Sequence, residues 1–197
     1  MRRLRTPREV QAFLHRLPYN HEKQGDTLRG FRGVVRHRSG HCLEAALFAA
    51  TVLEMHGHPP LLLSFESIDG LDHVIFPFRE GGRWGAVARS RDPGLHGRKP
   101  VFATPRQLAA SYMDTYVDFE GRVTGYAVAD LRDLGGYDWR FSPRNLWKVE
   151  RWLLDYPHHA LTMSDRRYHT LRARYRRYKA RYPDGKPVYF ANRPLWM

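Results

Sequence analysis

Apolar residues recur at helical spacing behind three Ser/Thr-Pro dipeptides. Thr6-Pro7 precedes Val10, Phe13, Leu14 and Leu17; Thr104-Pro105 precedes Leu108, Ala109, Tyr112 and Met113; Ser142-Pro143 precedes Leu146, Val149 and Leu153, with Trp147 beside them. A hydroxyl side chain accepts from the open N–H groups of a first helical turn. Proline costs nothing at the next position, where its missing N–H would have had no partner. Each dipeptide therefore predicts a helix start, and Glu9 stands where it completes a capping box with Thr6.

Between the first two lies a stretch with a different pattern. From Leu43 to Leu53 almost every residue is apolar, Ser39 stands ahead as a candidate N-cap, and Gly57 followed by Pro59-Pro60 ends the run. A helix that is apolar all round belongs in the interior. Residues 61–65 then read as a buried strand, Asp69-Gly70 as a turn, 73–78 as a second strand, Gly81-Gly82 as a hairpin turn and 84–90 as a third strand. Pro77 suits an edge or a bulge, since it cannot donate to a ladder. The predicted order is one buried helix followed by an antiparallel meander.

The pattern weakens over 114–141, where only Tyr126, Ala127 and Val128 look strand-like and Gly135-Gly136 marks a loop. It strengthens again after Ser164, which caps a helix running to about Tyr182. Tyr168, Leu171, Tyr175, Tyr178 and Tyr182 form its stripe, and Arg166, Arg167, Arg172, Arg174, Arg176, Arg177, Lys179 and Arg181 crowd its other faces. The expected fold class is α+β, with a central buried helix packed on an antiparallel sheet over 1–160. The basic Tyr/Arg-rich helix and tail of 161–197 pack onto that domain.

Composition narrows the picture. No segment reaches the roughly 20 apolar residues of a membrane span, and the basic N-terminus has no apolar run of the signal-peptide kind behind it. A single cysteine cannot form an internal disulfide, which makes a cytoplasmic location the expectation. The formal charge of +13, from 33 Lys and Arg against 20 Asp and Glu, favours a polyanionic partner such as nucleic acid or an acidic protein. The C-terminal helix is the natural surface for it, because arginine grips phosphates and tyrosine stacks on bases. The alternative is that its Tyr-Leu stripe packs on the domain while its arginines are solvated.

Cys42 is the residue with most chemical potential. Ser39 as N-cap puts it in a first helical turn, where free N–H groups and the positive dipole end favour a thiolate. The same N–H groups suit a developing oxyanion. A buried, inert cysteine is the competing interpretation. His73, opening the second strand, is the candidate general base and acid. For the group that orients its imidazole the sequence offers Ser90, then Asp92, with Asp72 adjoining the histidine. Trp84 and His41 are candidates to line a substrate cleft or modulate the thiol. Glu44, in the same first turn as Cys42, is a candidate for substrate contact or for a dipole-matched structural role. The histidines His37, His41, His56, His58 and His73 match no closed zinc pattern, and no glycine-rich phosphate loop is present. Neither metal nor cofactor is expected.

Taken together, Ser39-Gly40-His41-Cys42 opening an apolar helix, the Gly57-His58-Pro59-Pro60 exit, Asp72-His73-Val74 on a strand and the Trp84 hairpin resemble the transglutaminase-like superfamily of papain-like cysteine enzymes. They are also similar to a group of small bacterial proteins with a His-Cys-Leu-Glu helix and a Trp-Gly-Ala strand. The resemblance spans about residues 36 to 95. It implies thiol chemistry on a protein or peptide amide, by hydrolysis or acyl transfer, with Cys42 as nucleophile and His73 as base. The family's strand after the tryptophan ends in Asp, whereas this chain has Ala88, Arg89 and Ser90. That departure separates two expectations: a cysteine hydrolase or acyltransferase, and a non-catalytic basic binding protein on the same fold.

Overall fold

A computed structural model describes residues 4–70, 73–187 and 193–197. Among these residues the helices and strands follow in the order α1 (Pro7–His15), α2 (Phe31–His37), α3 (Cys42–Glu54), β1 (Leu61–Ser67), β2 (His73–Glu80), β3 (Arg83–Val87), β4 (Arg98–Phe102), α4 (Pro105–Tyr116), β5 (Val123–Asp130), α5 (Trp147–Leu154), β6 (His159–Ala160) and α6 (Asp165–Arg181). The strands form one sheet in the order β4-β3-β2-β1-β5-β6, antiparallel at every pairing. The chain is α+β. Among the described residues no helix is long and apolar enough to cross a membrane.

Local chemistry explains most of the boundaries. Thr6 Oγ1 accepts from Glu9 N at 3.3 Å and Glu9 returns the contact to Thr6 N at 3.0 Å, so α1 opens on a complete capping box. Thr104 Oγ1 accepts from Gln107 N at 3.1 Å and starts α4. The third dipeptide behaves differently. Ser142 Oγ accepts from Arg144 N at 3.1 Å and closes a turn, and α5 begins only at Trp147. The intervening main chain is committed elsewhere: Leu146 N donates to Leu28 O at 2.8 Å, and Asn145 Oδ1 accepts from Leu28 N at 3.2 Å.

The start of α3 also differs from the sequence expectation. His41, not Ser39, is its N-cap, which makes Cys42 the first helical residue. Gly40 is held by an upstream segment, donating to Pro18 O at 3.4 Å and accepting from Asn20 N at 3.3 Å, so the helix cannot begin earlier. From Leu43 to Leu53 every residue is buried, and the chain leaves through Gly57 at φ 85, a left-handed conformation suited to glycine.

Elements α2 and β4 carry no sequence signal. Helix α2 buries only Val34 and ends at Arg38 with φ 52, so no apolar stripe announces it. Strand β4 buries Arg98 and leaves Val101 exposed, the reverse of an amphipathic strand. Pro77 lies past the paired part of β1, whose register with β2 runs from Phe65↔His73 to Leu63↔Ile75, so its missing N–H leaves no gap there.

The sheet is a middle layer with a core on each face. Helix α3 packs with Val10, Leu14, Leu62, Val74, Phe76 and Trp139 on one side; Leu63, Phe65, Ile75, Leu108, Tyr112 and Tyr168 pack on the other. Helix α6 joins the second core through Tyr168, with Leu171 partly buried against it. The N-terminus of α3 and the first residue of β2 come together at one end of these layers.

Candidate active site

Cys42 sits at that end, half-buried, as the first residue of α3. Two imidazoles flank its sulfur, His41 from the cap position and His73 from β2. Burial on its own raises the thiol pKa. Hydrogen bonds from His41 and His73, together with their charges, overcome it and lower the pKa to about 5. His41 moves the opposite way: burial lowers its pKa, but its contact with the thiol and the negative charges of Cys42 and Glu44 raise it to about 9.

His73 is only 3% exposed and stacks on Phe65, with ring centroids 5.9 Å apart. Its Nε2 lies 3.0 Å from the carbonyl oxygen of Leu95, in the short 3₁₀ turn Pro93–Leu95. A carbonyl only accepts, so Nε2 carries the proton and Nδ1 is the nitrogen left for the thiol.

Ser90 is buried, but its hydroxyl accepts from Asp92 N at 3.1 Å and its carbonyl receives His96 Nε2 at 2.9 Å. Asp92 binds Arg91 Nε at 3.0 Å and faces Lys186 Nζ at 3.5 Å. Neither side chain hydrogen-bonds to His73 among the described residues; the bond that orients its imidazole comes from the main chain. Asp72 lies outside the described residues. Trp84 pairs with Phe102 across β3 and β4 and packs on the second core, away from the cavity walls described below.

Glu44 was a candidate for substrate contact; it points instead into the protein. Fully buried, its carboxylate accepts from Thr27 Oγ1 at 2.8 Å, Arg29 N at 2.9 Å, Asn20 Nδ2 at 3.1 Å and His41 N at 3.1 Å. With its oxygens spent on these donors it fastens the 20–29 loop to the start of α3. His41 Nε2 is in turn 3.0 Å from Thr27 O.

That loop delivers Tyr19, a residue no periodicity or motif had marked. The backbone bridge between Tyr19 and Gly40 sets it beside Cys42, whose N–H donates to the phenol oxygen. Burial, followed by the neighbouring thiolate charge, raises the phenol pKa, so Tyr19 keeps its proton.

Cys42 borders two cavities. The larger, about 470 Å³, opens between Tyr19, His41, Ser64 and Trp147; the smaller, about 310 Å³, holds His73 and Leu95. The thiol and the imidazole thus share one cavity, and the sulfur also faces a second. Among the described residues no group of three or more His, Cys, Asp or Glu side chains is placed to hold a metal ion. The arrangement places an acidified thiol beside a fixed imidazole and a proton-bearing phenol, with open space on both sides. Compared with known proteins, the chain matches no protein-family model and no curated protein.

Proposed function

We propose that this protein is a thiol-dependent amide hydrolase or acyltransferase on a transglutaminase-like, papain-like fold. The observation that carries the reading is the Cys42 thiol at the first position of α3, hydrogen-bonded by two imidazoles and open to two cavities. Its thiolate attacks the carbonyl carbon of a peptide or protein amide, and the carbonyl electron pair moves onto oxygen. The N–H at the head of α3 and the Tyr19 hydroxyl stabilise that oxyanion. Collapse breaks the C–N bond, and the leaving amine takes the proton from Nδ1 of His73. Water or a second amine, deprotonated by the same nitrogen, then attacks the thioester and frees Cys42. Leu95 O supports the tautomer this cycle requires, the task for which the sequence offered Ser90 and Asp92.

The test is the pH profile of Cys42 alkylation by iodoacetamide, followed by turnover of a peptide-amide panel by wild type, Cys42→Ala and His73→Ala. A thiol unreactive below about pH 8 overturns the reading, as does amide turnover that survives Cys42→Ala.

A second reading keeps the fold without catalysis, as a basic protein that holds nucleic acid or an acidic protein. It is favoured by the outward face of α6, where Arg166, Arg176 and Arg177 are exposed and carry no ion pair among the described residues. Retardation of DNA or RNA that weakens steeply with salt supports it, and absence of binding at low salt removes it.

A further inference from the structure

The charge of the protein is unevenly distributed around Cys42. The formal total is +13, yet among the described residues the larger cavity carries Glu22, Asp26 and Glu150 and no lysine or arginine. The smaller carries Glu22 again, with Asp69, Asp92 and Asp118, against Arg91 alone. Six of the 20 acidic side chains therefore line the two cavities that Cys42 borders, beside one of the 33 Lys and Arg and the His41 imidazole, whose pKa is raised to about 9.

Internal pairing cancels only part of this charge. Arg91 and Lys186 answer Asp92, and His41 lies 3.9 Å from Glu22. Asp118 accepts from the main-chain N–H groups of Glu120 and Gly121, at 2.9 and 2.7 Å, which leave its negative charge in place, and Arg91 is near enough to be stabilised by it. Asp26 and Glu150 form no ion pair among the described residues. Trp147 and Tyr19 add aromatic walls to the larger cavity, suited to the face of a guanidinium or ammonium group.

We propose that this cleft takes a basic peptide segment, with lysine or arginine side chains on both sides of the amide that Cys42 attacks. The attack itself rests on the thiol-enzyme reading; the binding does not. The arginines of the outer surface act through solvent and are screened beyond roughly 8 Å at physiological salt. The cleft carboxylates act at short range in a partly enclosed, lower-dielectric space. A cation that enters meets the local field, although the molecule as a whole repels it. Preference for positive charge is therefore the opposite of what net charge predicts, which makes the proposal easy to overturn.

The experiment uses the full-length Cys42→Ala protein and three fluorescein-labelled octapeptides of identical Ala/Gly framework. These carry Lys, Gln or Glu at the two residues on each side of the central amide, and binding is read by anisotropy at 150 mM salt. The lysine peptide is expected to bind at least tenfold more tightly than the glutamine peptide, and the glutamate peptide least. Adding Asp26→Asn and Glu150→Gln should cost the lysine peptide about tenfold and leave the glutamine peptide unchanged. A lysine peptide that binds no tighter than the glutamine peptide overturns the proposal, as does one that does not bind or is indifferent to the two neutralising substitutions. In the wild-type protein, a trimethylammonium methanethiosulfonate should modify Cys42 at least tenfold faster than the sulfonate analogue, after correction for their rates with free cysteine. A thiol inert to both reagents, with lysine-peptide binding intact, sinks the enzymatic reading and leaves this inference standing.

Discussion

Nε2 of His73 stands 3.0 Å from the carbonyl oxygen of Leu95. A carboxylate in that place would attract the imidazolium as an ion; a carbonyl instead fixes the tautomer through one directed bond. What holds the carbonyl then becomes part of the site. The 3₁₀ turn that bears Leu95 is gripped by Arg98, 1% exposed, whose guanidinium donates to Gly94 O at 2.7 Å and His96 O at 2.8 Å. It also lies over the Tyr112 ring at 4.0 Å.

Replacing Arg98 by Met keeps much of the packing and removes these donors, leaving buried carbonyls unsatisfied. The expected cost is about 2–4 kcal/mol in urea unfolding. Turnover should fall about tenfold with KM nearly constant, because the imidazole is less well oriented and the cavities are intact. A variant with the same stability and the same kcat would show that the turn holds its shape without the guanidinium.

The charges at Cys42 define a pH window. Its thiol is lowered to about 5 and His41 raised to about 9. An acid with a depressed pKa is ionised above that value, so the thiolate persists down to about pH 5 and is lost as pH falls through it. A raised histidine is cationic below its pKa, so the His41 contribution disappears as pH rises through about 9. The alkylation rate should therefore level off from about pH 6 upward and drop on the acid side. In His41→Gln the inflection should move up by at least about one pH unit, equivalent to about 1.4 kcal/mol of lost thiolate stabilisation. A wild-type inflection near 8.5, or a His41→Gln profile that superimposes on wild type, would mean that the histidines do not hold the charge.

Glu44 yields a stability prediction. Its four donors come from Asn20, Thr27, Arg29 and His41, and all are left facing a gap in Glu44→Ala. Unfolding should become easier by about 3 kcal/mol or more, with limited proteolysis shifting into the 20–29 loop. Glu44→Gln, which keeps the shape and one acceptor oxygen, should lose less. Equal loss in both would mean that the negative charge, not the acceptor geometry, is what the loop requires.

The parts of the fold legible in the sequence were those written in local chemistry. Thr6-Pro7 and Thr104-Pro105 start helices, the almost wholly apolar run behind Cys42 is the central helix, and 61–87 is an antiparallel meander. Ser164 Oγ accepts from Arg167 N at 3.3 Å and caps α6. Where main-chain groups were claimed by distant partners, local signals misled. Ser142-Pro143 has the same grammar as the other two dipeptides, but Leu28 takes the backbone that would have begun the helix. Gly40 is held by Pro18 and Asn20, which moves the cap of α3 from Ser39 to His41. The partner of His73 is invisible in side-chain identities, because Leu95 contributes a carbonyl that any residue possesses. Tyr19 escaped for a similar reason, since an aromatic residue in a polar loop has no pattern until the bridge to Gly40 brings it to the sulfur.

Tyr19 accordingly supplies the sharpest kinetic prediction. Its phenol keeps its proton beside the thiolate and receives the N–H of Cys42. In the mechanism proposed above, the phenol O–H donates to the oxyanion of the tetrahedral intermediate, together with N–H groups at the head of α3. Tyr19→Phe preserves the ring, the wall of both cavities and the packing near Arg89, and removes both the acceptor of the Cys42 N–H and the phenol O–H that serves the transition state. Loss of a single oxyanion donor typically costs about 100-fold in kcat. A fall of that order is expected, with KM changed less than about threefold and with the iodoacetamide profile keeping its acid-side inflection, because His41 and His73 still hold the thiolate. A rise in KM at constant kcat would make Tyr19 a binding residue. Faster alkylation with undiminished turnover would make it a shield over the sulfur, and the oxyanion role would have to pass to the helix N–H groups alone.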